Sequence, residues 1–305
     1  MIYYLTTKAI QYERLNNRFT APDNVAVQLS LLEQPIRSRI ITHDILLKMI
    51  DEGEMPSNNG DVVYLRSYSA DILKYCKVLK NREFKLVNKL ETTTTIRSID
   101  LWSKVLLQEN IPVRVPHNFQ VFKKQNLDRT QGFGQPFEDF IVEYIKEHNL
   151  KTFNLRPKFG SARWNKSNTK IFYGYSVLDP SSFNWDSVDT TSNAFYLLKD
   201  IPSLTIRVPV VGKKVIREAC LSTTHWIIDN LVIDKNTDLF NEYPKIEEYS
   251  NKIIDLIDLE IGHIDFHVVN GELMVFDLGN LDQDNPNPYD LTPLLVEYLS
   301  TKHAS

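Results

Sequence analysis

The segment GHIDFHVVNGELMVFDLGN, residues 262–280, carries two aspartates, Asp265 and Asp277, on either side of an Asn-Gly pair and within otherwise largely apolar stretches. Asn-Gly between such runs marks a hairpin, so the acids stand on adjacent strands. A two-residue turn at Asn270-Gly271 would pair Val269 with Glu272 and send Asp277 to the face of Ile264, Phe266 and Val268. A three-residue loop, with Gly271 left-handed at a bulge, buries no charge and is the expected register. One face then holds Ile264, Phe266, Val268, Met274, Phe276 and Leu278, and the other holds His263, Asp265, His267, Leu273, Val275 and Asp277, with the acids diagonal to each other. Close carboxylates repel by roughly several kcal/mol at an effective dielectric of about 20, so either one is protonated or a cation lies between them. Magnesium suits such a pair, because it takes few protein oxygens and completes its shell from water and phosphate. Asn280, just beyond the second strand, can add an oxygen. A pair of acids on a solvated sheet face with no ion is the equally open reading. His263 and His267 are read as ordinary histidines and not as ligands.

These residues need elements to hold them. MIYYLTT at the start and DVVYLRS at 61–67 are β-branched and aromatic, while ADILKYCKVLKNRE, residues 70–83, repeats apolar residues at helical spacing, and FKLVN at 84–88 gives another strand. This predicts a small α/β domain over 1–90. TTTTIRSIDLWSKVLLQENIPV, residues 92–113, reads as one helix opened by capping hydroxyls and ended at Asn110 and Pro112. It begins a central domain over 91–195. There, a helix is expected at 137–149 and strands at TFNLRP and TKIFYGYSVL, around a cationic loop, KFGSARWNKSN. A C-terminal domain over 196–305 follows: strands FYLLKDI and LTIRVPVVGKKVIREACL with a Gly-Lys turn, a helix in YPKIEEYSNKIIDLIDLE, the hairpin, and a last helix in DLTPLLVEYLSTK.

Bulk properties narrow the classes of function. With 305 residues, 42% hydrophobic and 24% charged, the chain can build two or three small domains around a substantial core. No apolar run reaches the length of a membrane span, and the first residues show no secretory signal, so a cytoplasmic protein without membrane contact is expected. A net charge of −4 gives no reason to expect nucleic acid as a partner. Cys76 and Cys220 are the two cysteines, too few for a disulfide framework or a zinc site, and are expected as buried thiols. Ten glycines is well below the usual share of about 7%. There is neither a GxxxxGK[ST] loop nor a GxGxxG after a strand, so P-loop and dinucleotide sites are not supported.

The order of features resembles the ATP-grasp superfamily, particularly the RimK-like ligases that join carboxylates to amines, over roughly residues 60–300. GDVVYLRS with the following helix and FKLVN resembles the end of that family's N-terminal domain, and TTTTIRSIDLWSKVLLQENIPVRVP its entry helix. LLKDIPSLTIRVPVVGKKVI resembles the hinge and arginine-bearing strand, and IGHIDFHVVNGELMVFDLGN the metal-binding hairpin with its acid-to-acid spacing. The resemblance implies an α+β and α/β architecture, a small N-terminal domain with central and C-terminal subdomains clasping a nucleotide cleft. It implies ATP and Mg2+ as cofactors: Asp265 and Asp277, with Asn280, on the metal; Arg207 on phosphate or an acyl phosphate as the catalytic cation; Leu198, Lys199, Asp200 and Ile201 lining the adenine slot; and Arg156, Lys158 and Ser161 on the phosphates. Arg156 stands where the family has a lysine, and the two are not equivalent donors.

Three departures accompany the resemblance. The lysine at the start of the central domain aligns with Ile99, the glycine-rich lid is reduced to Gly160-Ser161 with Arg163 in place of a further glycine, and the terminal acid-x-Asn becomes Asp277-Leu278-Gly279-Asn280. The resemblance implies an ATP-dependent ligase forming an amide or peptide bond through an acyl phosphate, acting on a small molecule or peptide with a carboxylate and an amine acceptor. The departures keep open a degenerate ATP-grasp protein that binds nucleotide or peptide without turnover. A metal-dependent hydrolase built on the acid pair is a third class, lacking a recognisable nuclease or phosphatase pattern. Homo-oligomerisation is left open.

Overall fold

Alternation in the first strand decides how the N-terminal layer is built: Ile2 and Tyr4 face one way, Tyr3 and Leu5 the other, and all four are at most 2% exposed. The computed structural model describes residues 1–6, 21–54, 60–65, 72–96, 98–114, 122–123, 146–147, 153–157, 163–164, 170–172, 175–177, 194–199, 203–224, 238–281 and 289–305, with backbone alone for the strands between 122 and 199. Strand β1 (Ile2–Thr6) lies parallel to β2 (Ser38–Thr42) and to β3 (Val62–Leu65), and β4 (Lys85–Val87) adds to β3, in the order β2-β1-β3-β4. A parallel sheet needs cover on both faces. Tyr3, Leu5, Val63 and Leu65 pack on Leu46 and Met49 of a helix at His43–Asp51 (α2) and on Cys76 and Leu79 of one at Ile72–Asn81 (α3). Ile2, Tyr4, Val62 and Tyr64 pack on Val25 and Leu29 of α1 (Ala21–Ser30) and on Leu295 and Leu299 of the last helix, α8 (Thr292–Ala304). Val211 and Ile261 join the same cluster, so α8 sits between this sheet and the C-terminal one.

The single helix expected from the threonine run is two helices, α4 (Leu90–Ile96) and α5 (Ile99–Gln108), separated at Ser98, whose backbone is extended at φ −124 and ψ 108. The hydroxyls do not cap. Thr94 donates to the Leu90 carbonyl at 2.7 Å and Thr95 to that of Glu91 at 3.0 Å, each one turn back, which lets a threonine run sit inside a helix. Thr92 donates across the fold to the Ile257 carbonyl at 2.8 Å.

In the middle of the chain β5 (Phe122–Lys123), β10 (Ala194–Lys199), β6 (Phe153–Pro157) and β9 (Tyr175–Val177) form an antiparallel sheet in that order, and β7 (Arg163–Trp164) pairs with β8 (Lys170–Phe172). The run TKIFYGYSVL, expected as one strand, is divided between β8 and β9, which belong to different sheets. The helix expected at 137–149 lies outside the described residues apart from 146–147.

The C-terminal sheet carries the acid pair. β11 (Leu204–Val211) turns through Gly212 and Lys213, both at φ 62, into β12 (Lys214–Val215), and also pairs with β13 (Leu221–Thr223). On its other side it pairs with β14 (Ile261–Val269), which pairs with β15 (Glu272–Gly279). Ile206, Val208, Ile264, Phe266, Val268, Val275 and Leu278 share one face, against Trp102 and Leu106 of α5 and Ile246, Ile253 and Ile254 of α7 (Lys245–Ile257). A short helix, α6 (Leu239–Glu242), adds Leu239 and Phe240 to this core. With that face filled by apolar packing, polar side chains of these strands collect on the opposite face. Among the described residues no helix is long and apolar enough to cross a membrane.

Both cysteines are buried thiols, as their count suggests. Burial pushes the Cys220 thiol up to about 12, so at pH 8 it stays protonated and non-nucleophilic. Native protein at pH 8 is therefore expected to leave Cys220 unlabelled by an aromatic disulfide reagent, with full reaction after unfolding in guanidinium. Stoichiometric labelling of Cys220 without denaturant, located by peptide mass spectrometry, is the contrary result.

Candidate functional site

The hairpin turn is Asn270-Gly271, at φ 51 and φ 82, with Val269 paired to Glu272. This is the two-residue turn that positive φ at both central positions permits, and it replaces the expected three-residue loop. The extra residue needed to bring both acids to one face lies within β15, where the register shifts between Asp265 and Phe266. Val275 pairs with Phe266, Asp277 pairs with Asp265, and Phe276 is left over as a bulge. The face assignment before the bulge is exchanged accordingly. Leu273 and Val275 lie in the core, while Phe276 stacks on His267 with ring centres 3.7 Å apart. The acids are directly opposite each other, not diagonal.

Arg207 stands opposite Asp265 on the other side of β14, so Arg207, Asp265 and Asp277 form one row across three strands. The Arg207 Nε donates to Asp265 Oδ1 and its Nη2 to Oδ2, both at 2.8 Å, a two-pronged fork whose side chains are 13% and 6% exposed. The chain itself thus supplies a cation to one member of the acid pair: the Arg207 guanidinium offsets the Asp265 charge from the side away from Asp277, and by formal charge the row keeps one negative charge in excess. Asp277 is half-buried and accepts the Leu278 N–H at 3.1 Å.

Further along the same face, His263 Nε2 lies 3.7 Å from Asp265 Oδ2. Its ring occupies the space a side chain at 279 would need, since a Cβ on Gly279 would come within 2.7 Å of it. His267, fully buried, meets the Arg114 guanidinium through its Nδ1. Arg114 is 7% exposed and was not among the candidate residues. Its sequence signal was a lone cation in the apolar run IPVRVP, the same signal that marks Arg207 in TIRVPVV.

The other candidates are placed more coarsely. Asn280 follows β15 and is 4% exposed. Arg156 on β6 pairs with Tyr196 on β10, while Leu198 and Lys199 of β10 pair with Asn154 and Phe153, so these three candidates lie on adjoining strands of one sheet. Lys158, Ser161, Asp200 and Ile201 lie outside the described residues.

For magnesium the donor set is partial. Among the described residues no group of three His, Cys, Asp or Glu converges as a protein cage, and Asp265 already gives both oxygens to Arg207. Two adjacent carboxylates nevertheless fit an ion that draws most of its shell from phosphate and water. The residues fit a metal that arrives with its phosphate.

No protein-family profile and no curated protein sequence matches the chain. Solved structures do resemble it. The D-alanine–D-alanine ligase of Bacillus anthracis, complexed with ATP, is similar at a TM-score of 0.67 and 12% identity over 99% of this chain and 96% of that one. A RimK-domain ATP-grasp protein of Sphaerobacter thermophilus is similar at 0.60 and 12% identity over 98% and 100%. The ATP-grasp ligase PsnB, complexed with a minimal precursor, Mg and ADP, is similar at 0.55 and 12% identity over 100% and 98%. The chain has the ATP-grasp fold, with mixed parallel and antiparallel sheets, along nearly its whole length.

Proposed function

We propose that the chain is an ATP-dependent carboxylate–amine ligase that forms an amide or peptide bond through an acyl phosphate. The observation that carries the reading is the row Arg207, Asp265, Asp277 on the polar face of the C-terminal sheet in this fold. Asp265 and Asp277 would hold Mg2+, with Asn280 beside them, and the ion would neutralise charge on the transferring phosphoryl group. Arg207 orients Asp265 and keeps a fixed positive charge next to it, in a face shielded enough for that charge to act strongly. Arg156 and Lys158 would bind phosphate, with Ser161, and Leu198 to Ile201 would border the adenine. No side chain is required as a covalent nucleophile; alignment and charge neutralisation supply the rate. The similar structures support the substrate class, since they include a D-alanine–D-alanine ligase complexed with ATP and the ligase PsnB, complexed in one structure with a minimal precursor, Mg and ADP and in another with a precursor peptide.

A second reading, nucleotide or peptide binding without turnover, is favoured by one observation: the fork that engages Asp265. The two readings part on phosphate release. A ligase releases phosphate from ATP only when both an acid and an amine are supplied, whereas a binder releases none under any combination. The ligase reading, and the second reading where the ligand is a nucleotide, require Asp277→Asn to weaken MgATP binding at least tenfold in calorimetry, since the change removes a charged oxygen donor at nearly constant shape. Equal affinity in the variant would remove the acid pair from the site.

A further inference from the structure

We infer that Phe276, His267 and Arg114 are positioning residues that hold the β-bulge by which Asp277 is brought opposite Asp265; the inference rests on the reading of that pair as the metal-phosphate site. If the ladder ran regularly from the Asn270-Gly271 turn, Asp265 would face Phe276, and Asp277 would stand opposite Ile264, on the face packed against α5 and α7. Phe276 and Asp277 instead both stand against Asp265. A bulge leaves its extra residue without a ladder partner, so something else has to fix it.

Two groups of contacts do so, one on each side. Within the polar face, the Phe276 ring lies on the His267 ring at 3.7 Å with planes 18° apart, and the two residues are 4% and 0% exposed. His267 is two residues from Asp265 on β14 and points to the same face, so the stack ties the bulged residue to the strand that carries the other acid. Arg114 holds the imidazole in turn. A guanidinium only donates, so His267 Nδ1 is the acceptor and the ring carries its proton on Nε2. At the outer edge of β15 the backbone around Arg114 clamps the residue before the bulge. Arg114 N–H donates to the Val275 carbonyl and Val275 N–H to that of Pro112, both at 2.8 Å. One short segment, 112–114, thus holds the bulge by its backbone and by its side chain.

The experiment reads register and ligand affinity separately. In deuterated protein, cross-strand backbone nuclear Overhauser contacts between the residue 265 and residue 277 positions report the pairing without altering the acids, and calorimetry with MgATP reports the site. Phe276→Ala and His267→Ala are expected to lose those contacts and to bind MgATP at least tenfold more weakly. Phe276→Leu keeps apolar volume, removes the flat stack, and is expected to do the same, which covers an alanine variant that does not fold. Deleting Phe276 is the rescue. It leaves a regular ladder in which Asp277 still meets Asp265, so the contacts and the affinity are expected to stay within about threefold of the parent, whereas a residue that mattered only for packing would be worse deleted than shortened. Intact contacts and unchanged affinity in Phe276→Leu and His267→Ala would overturn the inference. If Asp277→Asn binds MgATP as well as the parent does, the site reading fails, and the register contacts still decide whether the stack holds the bulge.

Discussion

Asp265→Ala is expected to lower folding stability by about 3–5 kcal/mol, because it leaves a buried guanidinium without its counter-charge. The Arg207 and Asp265 side chains are only 13% and 6% exposed and meet through two bonds of 2.8 Å, so water cannot readily replace the lost carboxylate. Asp277→Asn is expected to change stability by less than about 1 kcal/mol, since the residue is half-buried and the change is nearly isosteric. Urea unfolding monitored by tryptophan fluorescence measures both. A double variant, Arg207→Met with Asp265→Leu, is expected to recover most of the loss, as apolar residues of similar size can replace a buried pair. A loss below about 1 kcal/mol for Asp265→Ala would mean that the guanidinium finds other partners and that the fork contributes little. The asymmetry bears on function: binding defects at Asp265 are confounded by stability, whereas those at Asp277 are not. It also means that ligand has to compete for Asp265 with an arginine already in place. A phosphate group relieves that competition, because it offers the guanidinium a second anion.

Much of this arrangement was legible in the chain, for a physical reason. Runs of β-branched and aromatic residues read out β1 and β3, which are buried on both faces, and helical spacing read out α3, which presents an apolar face to a core; β11, α7 and α8 fall within segments expected as a strand and two helices. Asp265, Asp277 and Arg207 stood out as charges within apolar runs, where burial without a partner is costly. That argument found the residues but misassigned their neighbours. It asked for a cation between the acids and did not foresee the guanidinium that engages Asp265 from the other side, on β11, a strand far away in sequence whose register could not be read locally. The bulge was beyond reach for a related reason. Adding a residue in the loop or at Phe276 satisfies the same face pattern around the acids, and the choice falls to Phe276 stacking on His267 and to the backbone of 112–114. Both are contacts between distant segments. The threonine run failed locally: hydroxyls that often cap a helix also bond one turn back within it, and composition does not separate the two.

Asn88→Ala is expected to destabilise the protein by about 3–5 kcal/mol and to loosen the start of β14, although Asn88 touches neither acid. Its amide makes three bonds to one stretch of backbone: Nδ2 donates to the Ile261 carbonyl at 2.7 Å, and Oδ1 accepts from Glu260 N–H at 2.8 Å and Ile261 N–H at 3.0 Å. Asn88 follows β4 of the N-terminal sheet, and Ile261 opens the strand that carries Asp265, so one side chain joins the two sheets. Both Asn88 and Ile261 are fully buried, and truncation would strand two donors and an acceptor where water does not reach. Each of the three orphaned groups costs about 1–3 kcal/mol, and the lower part of that range sums to the expected loss. Asn88→Asp should be worse than alanine. It keeps an acceptor for the two N–H groups but turns a carboxylate oxygen toward the Ile261 carbonyl and buries a charge. Native-state hydrogen exchange locates the effect: the Ile261 amide should exchange at least tenfold faster in Asn88→Ala, with amides of α2 and α3 changed only through the global loss. Uniform acceleration, with no excess at Ile261, would mean that the joint between the sheets is held by α8 packing and not by this amide.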